Sequence, residues 1–367
     1  MAVYSRNKAY GLIQLSAIAE TVCTLPLLTR LGEIRQLGTV DIIWPHANYT
    51  RYEHSRGVAH LGRLTVPLVL KNSGLSYSDT QIARFQLWVE LAGLCHDTGH
   101  GPFSHLFDHF LEEEGKVTSS RTVPTEHEER SCRLIRAQLP QVTGLTSLDV
   151  DVVCYLVDPT HQPRPPDCPE FLAQFIANPT HGLDLDKLDY LARDRLTFES
   201  PQWPQDLRAD AAVLPLIESS CLVDGVWSFP QHMQSKVTDL YLWRYRLHEH
   251  MYNHQHTRAA NRLVLEIFQA HPRKAEILRA CRLETPDDIH TFLQLKDTIL
   301  EEVLWPKHDQ FPNIQALRQK VKHLLMPGNR MYWTHQPFPP TFQYNRAYLP
   351  QNIVQKIPWV VYRAEAP

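Results

Sequence analysis

The chain has no long run of apolar residues. Of its 367 residues 43% are hydrophobic, but the longest mostly apolar stretches, such as residues 64–70, are too short to cross a bilayer. The N-terminus also lacks an apolar signal core. We therefore expect a protein of the cytoplasm or nucleus that does not enter a membrane.

Paired cysteines and an excess of charge are also missing. The seven cysteines are scattered and form no Cys-x-x-Cys pair, which favours reduced thiols and disfavours structural zinc. The formal net charge of -3 gives no support for a generally basic nucleic-acid surface. The sequence contains neither a glycine-rich phosphate loop nor a Gly-x-Ser-x-Gly elbow, so the enzyme classes built on these motifs are not indicated.

Histidine, by contrast, is abundant, with twenty residues in the chain. The stretch 94–105 contains adjacent His96 and Asp97, followed by His100 and His105. Apolar spacing upstream places the His-Asp pair near a helix end, and the glycines and proline that follow indicate a stop. A neutral imidazole beside a carboxylate suits a divalent transition metal. The alternative is a buried structural histidine beside a helix terminus.

Apolar spacing predicts several helices, and the chain length predicts one large domain with a smaller lobe, or two domains. An Asp-Gly turn predicts a β-hairpin within residues 221–229. Residues 1–45 are predicted to be a short lead-in followed by helical stretches, with Leu12, Leu15, Ile18 and Ala19 on one face. Further helices are predicted over residues 58–70, 82–94, 287–304 and 314–325.

Polar residues also recur at helical spacing in three other places. Each set can line a binding site, and each is explained equally well as the solvent-exposed face of an amphipathic helix. The sets are Arg51 with His54; Asp186, Lys187, Tyr190 and Asp194; and Arg244, His248, Tyr252 and His256.

Three of these motifs together resemble the HD-domain superfamily. More narrowly, they are similar to its deoxynucleoside triphosphate triphosphohydrolases of the sterile-alpha-motif-and-HD-domain type. The motifs are Tyr52-Glu53-His54-Ser55, His96-Asp97-x-x-His100-Gly-Pro-Phe-Ser-His105 and Asp186-Lys187-x-Asp-Tyr190-x-x-Arg-Asp194. The resemblance covers roughly residues 5–265, whereas the C-terminal residues match poorly. It implies a mainly α-helical protein, with a multi-helical HD-type catalytic domain at residues 1–270 and a smaller mixed α+β C-terminal lobe at residues 271–367.

The resemblance implies a role for individual residues. One divalent transition metal, which would be manganese, iron or zinc, would be bound by His54, His96, Asp97 and Asp186, with magnesium as an additional ion on the substrate phosphates. Catalytic groups handling water and phosphate would be Arg51, His100, His105, Asp108 and His127. Substrate contacts would be Gln36, Leu37, Lys187, Tyr190, Asp194, Arg244 and Tyr252, to which the polar helix face adds His248.

The expected reaction is metal-dependent hydrolysis of a dNTP to a deoxynucleoside and tripolyphosphate. Arginine and lysine would neutralise the triphosphate, and a histidine would protonate the leaving 5′-oxygen. Tyr190 and Asp194 can hold a 3′-hydroxyl, while Leu37 or Tyr252 would exclude a 2′-hydroxyl. The alternatives are another HD phosphohydrolase, acting on nucleoside monophosphates, cyclic nucleotides or modified NTPs, and a nucleotide-sensing binding protein.

Members similar to the vertebrate enzymes are activated by a guanine nucleotide bound to an N-terminal Asp, Gln and Arg. Aligned on residues 34–38, these positions hold Thr24, Thr29 and Gly32 here. A threonine hydroxyl cannot replace a guanidinium fork or a carboxylate, so we predict activity without this activator. The resemblance also implies a homo-oligomer, either a dimer or a tetramer, and gives no support for a nucleic-acid partner.

Overall fold

The computed structural model describes residues 4–118, 123–198, 209–305 and 308–325, together with 355–356 and 359–360. The described part is mainly α-helical, as predicted. None of its helices is both long and apolar enough to span a membrane.

The helices are α1 (Ala17–Val22), α2 (Pro26–Thr29), α3 (Val40–Ile43), α4 (Arg51–Asn72), α5 (Asp79–Cys95), α6 (His105–Thr118), α7 (His127–Gln138), α8 (Ser147–Val157), α9 (Leu185–Thr197), α10 (Ala209–Ser219), α11 (Gln234–Leu247), α12 (Gln255–Gln269), α13 (Lys274–Ala280), α14 (Pro286–Leu293), α15 (Ile299–Glu302) and α16 (Ile314–Leu325). A π-helical turn, His248–Tyr252, joins α11 to α12, and short 3-10 helices span Arg30–Glu33, Leu139–Gln141, Glu170–Phe175 and Gln231–Met233. The strands are β1 (Tyr4–Asn7), β2 (Gly11–Gln14), β3 (Cys221–Val223), β4 (Val226–Pro230) and β5 (Trp359–Val360).

The predicted hairpin is confirmed, because β3 and β4 pair antiparallel around the Asp-Gly turn. Asp224 and Gly225 both have positive φ, 50° and 79°, as a two-residue turn between twisted strands requires. Strand β5 then joins β4 in parallel.

The prediction that Leu12 lies on a helix face is wrong, because residues 4–14 are not helical. These residues form an antiparallel pair, β1 with β2. Leu12 is 66% exposed whereas its neighbour Ile13 is buried, which is the alternation of a strand and not the one-sided stripe of a helix. Leu12 therefore does not share a helix face with Leu15, Ile18 and Ala19.

Helices α4 and α5 form the centre of the fold and pack unusually closely. A Cβ atom on Gly93 would lie 2.9 Å from the backbone nitrogen of Ala59, and one on Gly62 would lie 2.8 Å from Val89. Only glycine fits such contacts, so these two residues allow the helix backbones to approach. The approach brings His54, on α4, towards the C-terminal end of α5.

Helix α9 approaches α4 through a third glycine. A Cβ atom on Gly57 would lie 2.0 Å from an Asp189 oxygen and 2.2 Å from an Arg193 nitrogen. A larger residue at this position would displace the polar face of α9. Gly57 therefore lets that face lie directly beside His54.

The C-terminal helices and the rest of the described chain pack on one apolar cluster. The residues of this cluster extend from Ala9 to Leu324 in the sequence. The helix predicted over residues 287–304 is in fact two helices, α14 and α15, separated by a turn. The domain boundary at residue 270 remains a prediction.

Candidate active site

Three predicted metal ligands meet where α4, the end of α5 and the first turn of α9 come together. The Nε2 atoms of His54 and His96 are 3.2 Å apart. Asp186 Oδ1 lies 2.9 Å from His54 Nε2 and 3.6 Å from His96 Nε2. One donor atom of each residue therefore faces a common point.

Asp97, the fourth predicted ligand, borders the same point. Its two carboxylate oxygens lie 3.4 Å from His96 Nε2 and 3.6 Å from His54 Nε2. The second oxygen also accepts a hydrogen bond from Arg51 Nη1. Burial by itself raises the pKa of the Asp97 carboxyl, but Arg51 and His96 outweigh it and hold that pKa well below its usual value. Asp97 is therefore ionised and able to act as a ligand.

The outer nitrogens of both histidines are already occupied, which determines what their inner nitrogens can do. His54 Nδ1 donates to Asp189 Oδ2 at 2.7 Å, and His96 Nδ1 donates to the carbonyl oxygen of Gly93 at 2.9 Å. In the neutral imidazoles both Nε2 atoms then carry a lone pair directed at the common point. This mixed set of two imidazoles and two carboxylates fits a divalent transition metal.

Asp189 was given no role from the sequence, although it lies one turn after Asp186 on α9. Its carboxylate is fully buried between His54 and Arg193, whose Nε donates to it. Burial lowers the pKa of His54, but hydrogen bonds to Asp186 and Asp189 reverse this and raise it to about 10. The carboxylates thus make the centre strongly attractive to positive charge. The spacing of three residues from Asp186 was the signal that could have identified it.

A second cluster joins the four remaining histidine and aspartate residues predicted to be catalytic. The ring of His127 stacks on that of His100, with centroids 3.7 Å apart. Asp108 Oδ2 lies 3.3–3.5 Å from the Nδ1 atoms of His100, His105 and His127. The other Asp108 oxygen accepts from Arg130, which was not predicted.

Electrostatics within this cluster favour protonation of His127. Burial raises the pKa of Asp108, but hydrogen bonds from His105 and His127 and the charge of Arg130 lower it overall. Burial lowers the pKa of His127, but the hydrogen bond to Asp108 outweighs this effect and raises that pKa above its usual value. His127 is the first residue of α7, whose N-cap is Glu126.

Two adjoining cavities open onto these clusters. One, of about 460 Å³, is lined by His96, Asp97, His100 and His127, and we call it the polar cavity. The other, of about 400 Å³, is called the mixed cavity. It is lined by all eight residues predicted to contact substrate: Gln36, Leu37, Lys187, Tyr190, Asp194, Arg244, His248 and Tyr252. Residues that border both cavities are Gln36, Arg51, His105, Asp186, Lys187 and Tyr190.

Several of these side chains are held by partners that the motifs did not reveal. Asp194 accepts hydrogen bonds from the hydroxyls of Tyr49, at 2.6 Å, and Tyr252. Burial raises the pKa of the Asp194 carboxyl to about 6. The ammonium of Lys187 lies 2.8 Å from Asp184, the N-cap of α9. Neither Tyr49 nor Asp184 was predicted, because each acts through another residue.

Two of the three positions that replace the activator contacts are bonded locally. The hydroxyls of Thr24 and Thr29 donate to carbonyl oxygens three residues earlier in the chain. Gly32 offers no side chain, and all three residues are exposed. Thr24, Thr29 and Gly32 therefore offer no charged side chain to a nucleotide.

The residues of both clusters lie within the part of the chain that matches a known family. The family described as HD domain matches residues 51–193. The "Deoxynucleoside triphosphate triphosphohydrolase SAMHD1 homolog" of Dictyostelium discoideum is 28% identical over 299 residues, covering 80% of this chain and 53% of that protein. SAMHD1 of Bos taurus is 27% identical over 354 residues, covering 86% of this chain and 56% of its own length.

A shorter match is more similar. SAMHD1 of Gallus gallus is 34% identical over 206 residues, covering 51% of this chain and 33% of that protein. The chain thus spans little more than half the length of the first two relatives. Residues 51–193 of the chain match the HD domain, and most of its length is similar to the SAMHD1-type deoxynucleoside triphosphate triphosphohydrolases.

Proposed function

We propose that this chain hydrolyses deoxynucleoside triphosphates to a deoxynucleoside and tripolyphosphate, using one divalent transition metal. The observation that carries the proposal is the convergence of His54, His96, Asp97 and Asp186 beside the polar cavity, with Asp186 also bordering the mixed cavity. A scissile bond placed at the junction of the two cavities would have phosphates on one side and a nucleoside on the other. The named activity of the relatives supports the same reaction.

The four ligands and their partners would hold manganese, iron or zinc. When bound, such an ion polarises a phosphoryl oxygen and lowers the pKa of water. The chain itself supplies orientation, because Asp189 and Gly93 fix the two imidazole rings.

Cationic side chains at the junction would bind the triphosphate. Arg51 and Lys187 border both cavities, so they lie where a chain of phosphates would pass from one to the other. Arg51 is held by Asp97 and by Ser104, whose hydroxyl accepts from Nε at 2.7 Å. A planar guanidinium fixed in this way can bind two phosphoryl oxygens, whereas Lys187 acts as a point charge.

His105 is the residue best placed to protonate the leaving 5′-oxygen. It borders both cavities, whereas His127 borders only the polar one. Asp108 lies 3.5 Å from His105 Nδ1, which leaves Nε2 as the atom that can reach the substrate. His127 and Asp108 would then orient His105 and share its proton.

The mixed cavity would select the sugar. Asp194 keeps lone pairs beyond those used by Tyr49 and Tyr252, and these can accept a 3′-hydroxyl. Leu37 and Tyr252 line the same cavity and would exclude a 2′-hydroxyl by contact.

The test measures products and bound metal together. The full chain, loaded separately with each metal, is assayed on four dNTPs and four rNTPs with identification of the products. His96→Ala/Asp97→Ala should lose both the metal and the hydrolysis. His109→Ala/Glu113→Ala is the matched control, because it removes an exposed histidine–carboxylate pair on α6.

Three results would contradict the proposal. The first is unchanged metal stoichiometry in the His96→Ala/Asp97→Ala variant. The second is release of orthophosphate or an opened cyclic ring in place of tripolyphosphate, which would indicate another HD phosphohydrolase. The third is dNTP binding without turnover by the metal-loaded protein, which would indicate a nucleotide sensor.

A further inference from the structure

Asp297 lies in the turn between α14 and α15, far from the HD domain in sequence, yet it binds two loops of the active site. Its Oδ1 accepts the backbone N–H of Phe103 at 2.7 Å, and its Oδ2 accepts that of Arg35 at 2.9 Å. Its own N–H donates to the carbonyl oxygen of Glu33 at 3.3 Å. Asp297 is 9% exposed, so these bonds form where water does not compete freely.

The two loops carry residues of the proposed site. Gln36 and Leu37 follow Arg35 directly, and His105 begins α6 two residues after Phe103. Phe103 and Ser104 both have a φ of 61°, in the left-handed region. Non-glycine residues adopt this conformation at a cost, and it persists only where surrounding contacts impose it.

The loops are also bonded to each other. Ser104 Oγ donates to the carbonyl oxygen of Arg35 at 2.6 Å. A Cβ atom on Gly38 would lie 3.0 Å from the carbonyl oxygen of Phe103, so the two backbones are in contact. Asp297 therefore holds a pair of loops that already depend on one another.

A second contact ties the same C-terminal turn to the His-Asp motif. The buried guanidinium of Arg30 donates to the carbonyl oxygens of Leu295, Thr98 and His100. Its Cζ also lies 4.6 Å from the centroid of the Phe292 ring. The turn that carries Asp297 is thereby fixed against the segment that follows His96 and Asp97.

We propose that Asp297 is a positioning residue, which sets the direction of His105 and the placement of Gln36 and Leu37 through the backbones of Phe103 and Arg35. The C-terminal segment thus completes the active site without touching substrate. The kinetic part of this inference rests on the proposed function.

Hydrogen exchange of the full chain tests the positioning without any assay of activity. In Asp297→Ala, peptides covering residues 33–38 and 101–105 should exchange faster than in the wild type, and in Asp297→Asn, which keeps one acceptor, to a smaller extent. Asp288→Ala is the matched control, because Asp288 is a buried carboxylate on α14 that bonds Thr285 and Arg279. Unchanged exchange in Asp297→Ala, or the same acceleration in Asp288→Ala, would overturn the inference.

Kinetics test the consequence for catalysis. Because misplacing a reacting group by an ångström can cost about 10²-fold in rate, Asp297→Ala should lower kcat/KM by roughly that factor with bound metal unchanged. Added to His105→Ala, the substitution should have a much smaller effect than it has alone. Full additivity with His105→Ala would show that Asp297 does not act through His105. If the wild type hydrolyses no dNTP, the proposed function fails, and hydrogen exchange alone decides the role of Asp297.

Discussion

Removing the Asp189 carboxylate should weaken metal binding, although Asp189 is not a predicted ligand. Its Oδ2 accepts the Nδ1–H of His54 at 2.7 Å in a fully buried position. Asp189→Ala would leave this N–H without its partner and the ring without its fixed orientation. The His54 Nε2 lone pair would then no longer be held towards the other ligands.

The size of the effect follows from this buried hydrogen bond. Leaving a buried donor unsatisfied costs about 1–3 kcal/mol. If this cost destabilises only the metal-bound state and not the metal-free state, the dissociation constant of the metal rises roughly 5- to 160-fold. Loss of partners that orient ligating histidines typically costs about 10- to 100-fold in affinity, which agrees with this range.

The same substitution should also destabilise the fold, and the two effects have to be separated. Arg193, itself buried, donates to Asp189 from Nε and from Nη2. Breaking a buried ion pair by removing one partner costs about 3–5 kcal/mol of unfolding free energy. Metal affinity should therefore be measured well below the melting temperature of the variant, by competition with a chelator of known affinity.

Asp149→Ala provides the control for destabilisation alone. Asp149 is also a fully buried carboxylate, but it accepts from Arg84 and from the Trp88 indole, away from the ligand cluster. This variant should lose stability and keep its metal affinity. If Asp189→Ala bound metal as tightly as the wild type at a temperature where both are folded, the proposed orientation of His54 would be refuted.

Three further predictions concern turnover, sugar selection and activation. His127→Ala should lower turnover by about 10²–10⁴-fold with bound metal unchanged; nearly full activity across the pH range would remove His127 from the mechanism. Tyr49→Phe removes one hydrogen bond to Asp194, worth about 0.5–1.5 kcal/mol. The preference in kcat/KM for a dNTP over its 3′-deoxy analogue should therefore fall by roughly 2- to 13-fold, and an unchanged ratio would contradict the role of Asp194 at the 3′-hydroxyl. Finally, each dNTP should be hydrolysed without GTP, and light scattering without nucleotide should already show the predicted dimer or tetramer. A strict requirement for GTP with GTP-dependent assembly would contradict the inference drawn from Gly32 and its two neighbouring threonines.

Much of the candidate site could be predicted from the sequence because its chemistry is local. His96 and Asp97 are adjacent at the end of a helix, and Lys187, Tyr190 and Asp194 recur at helical spacing on α9. Helical periodicity and the Asp-Gly turn likewise predicted several of the helices and the β3–β4 hairpin, since both depend on neighbouring residues. In the structure these residues come together around two adjoining cavities.

The partners that orient the site were decided only by tertiary packing. The bond between His54 and Asp189 spans 135 residues, and it exists because Gly57 lets α9 lie against α4. The bond between Phe103 and Asp297 spans 194 residues, and Asp297 lies in the turn that divides the single helix predicted over residues 287–304 into two. A buried carboxylate pairs with whichever donor the fold places beside it, and no local pattern encodes that donor.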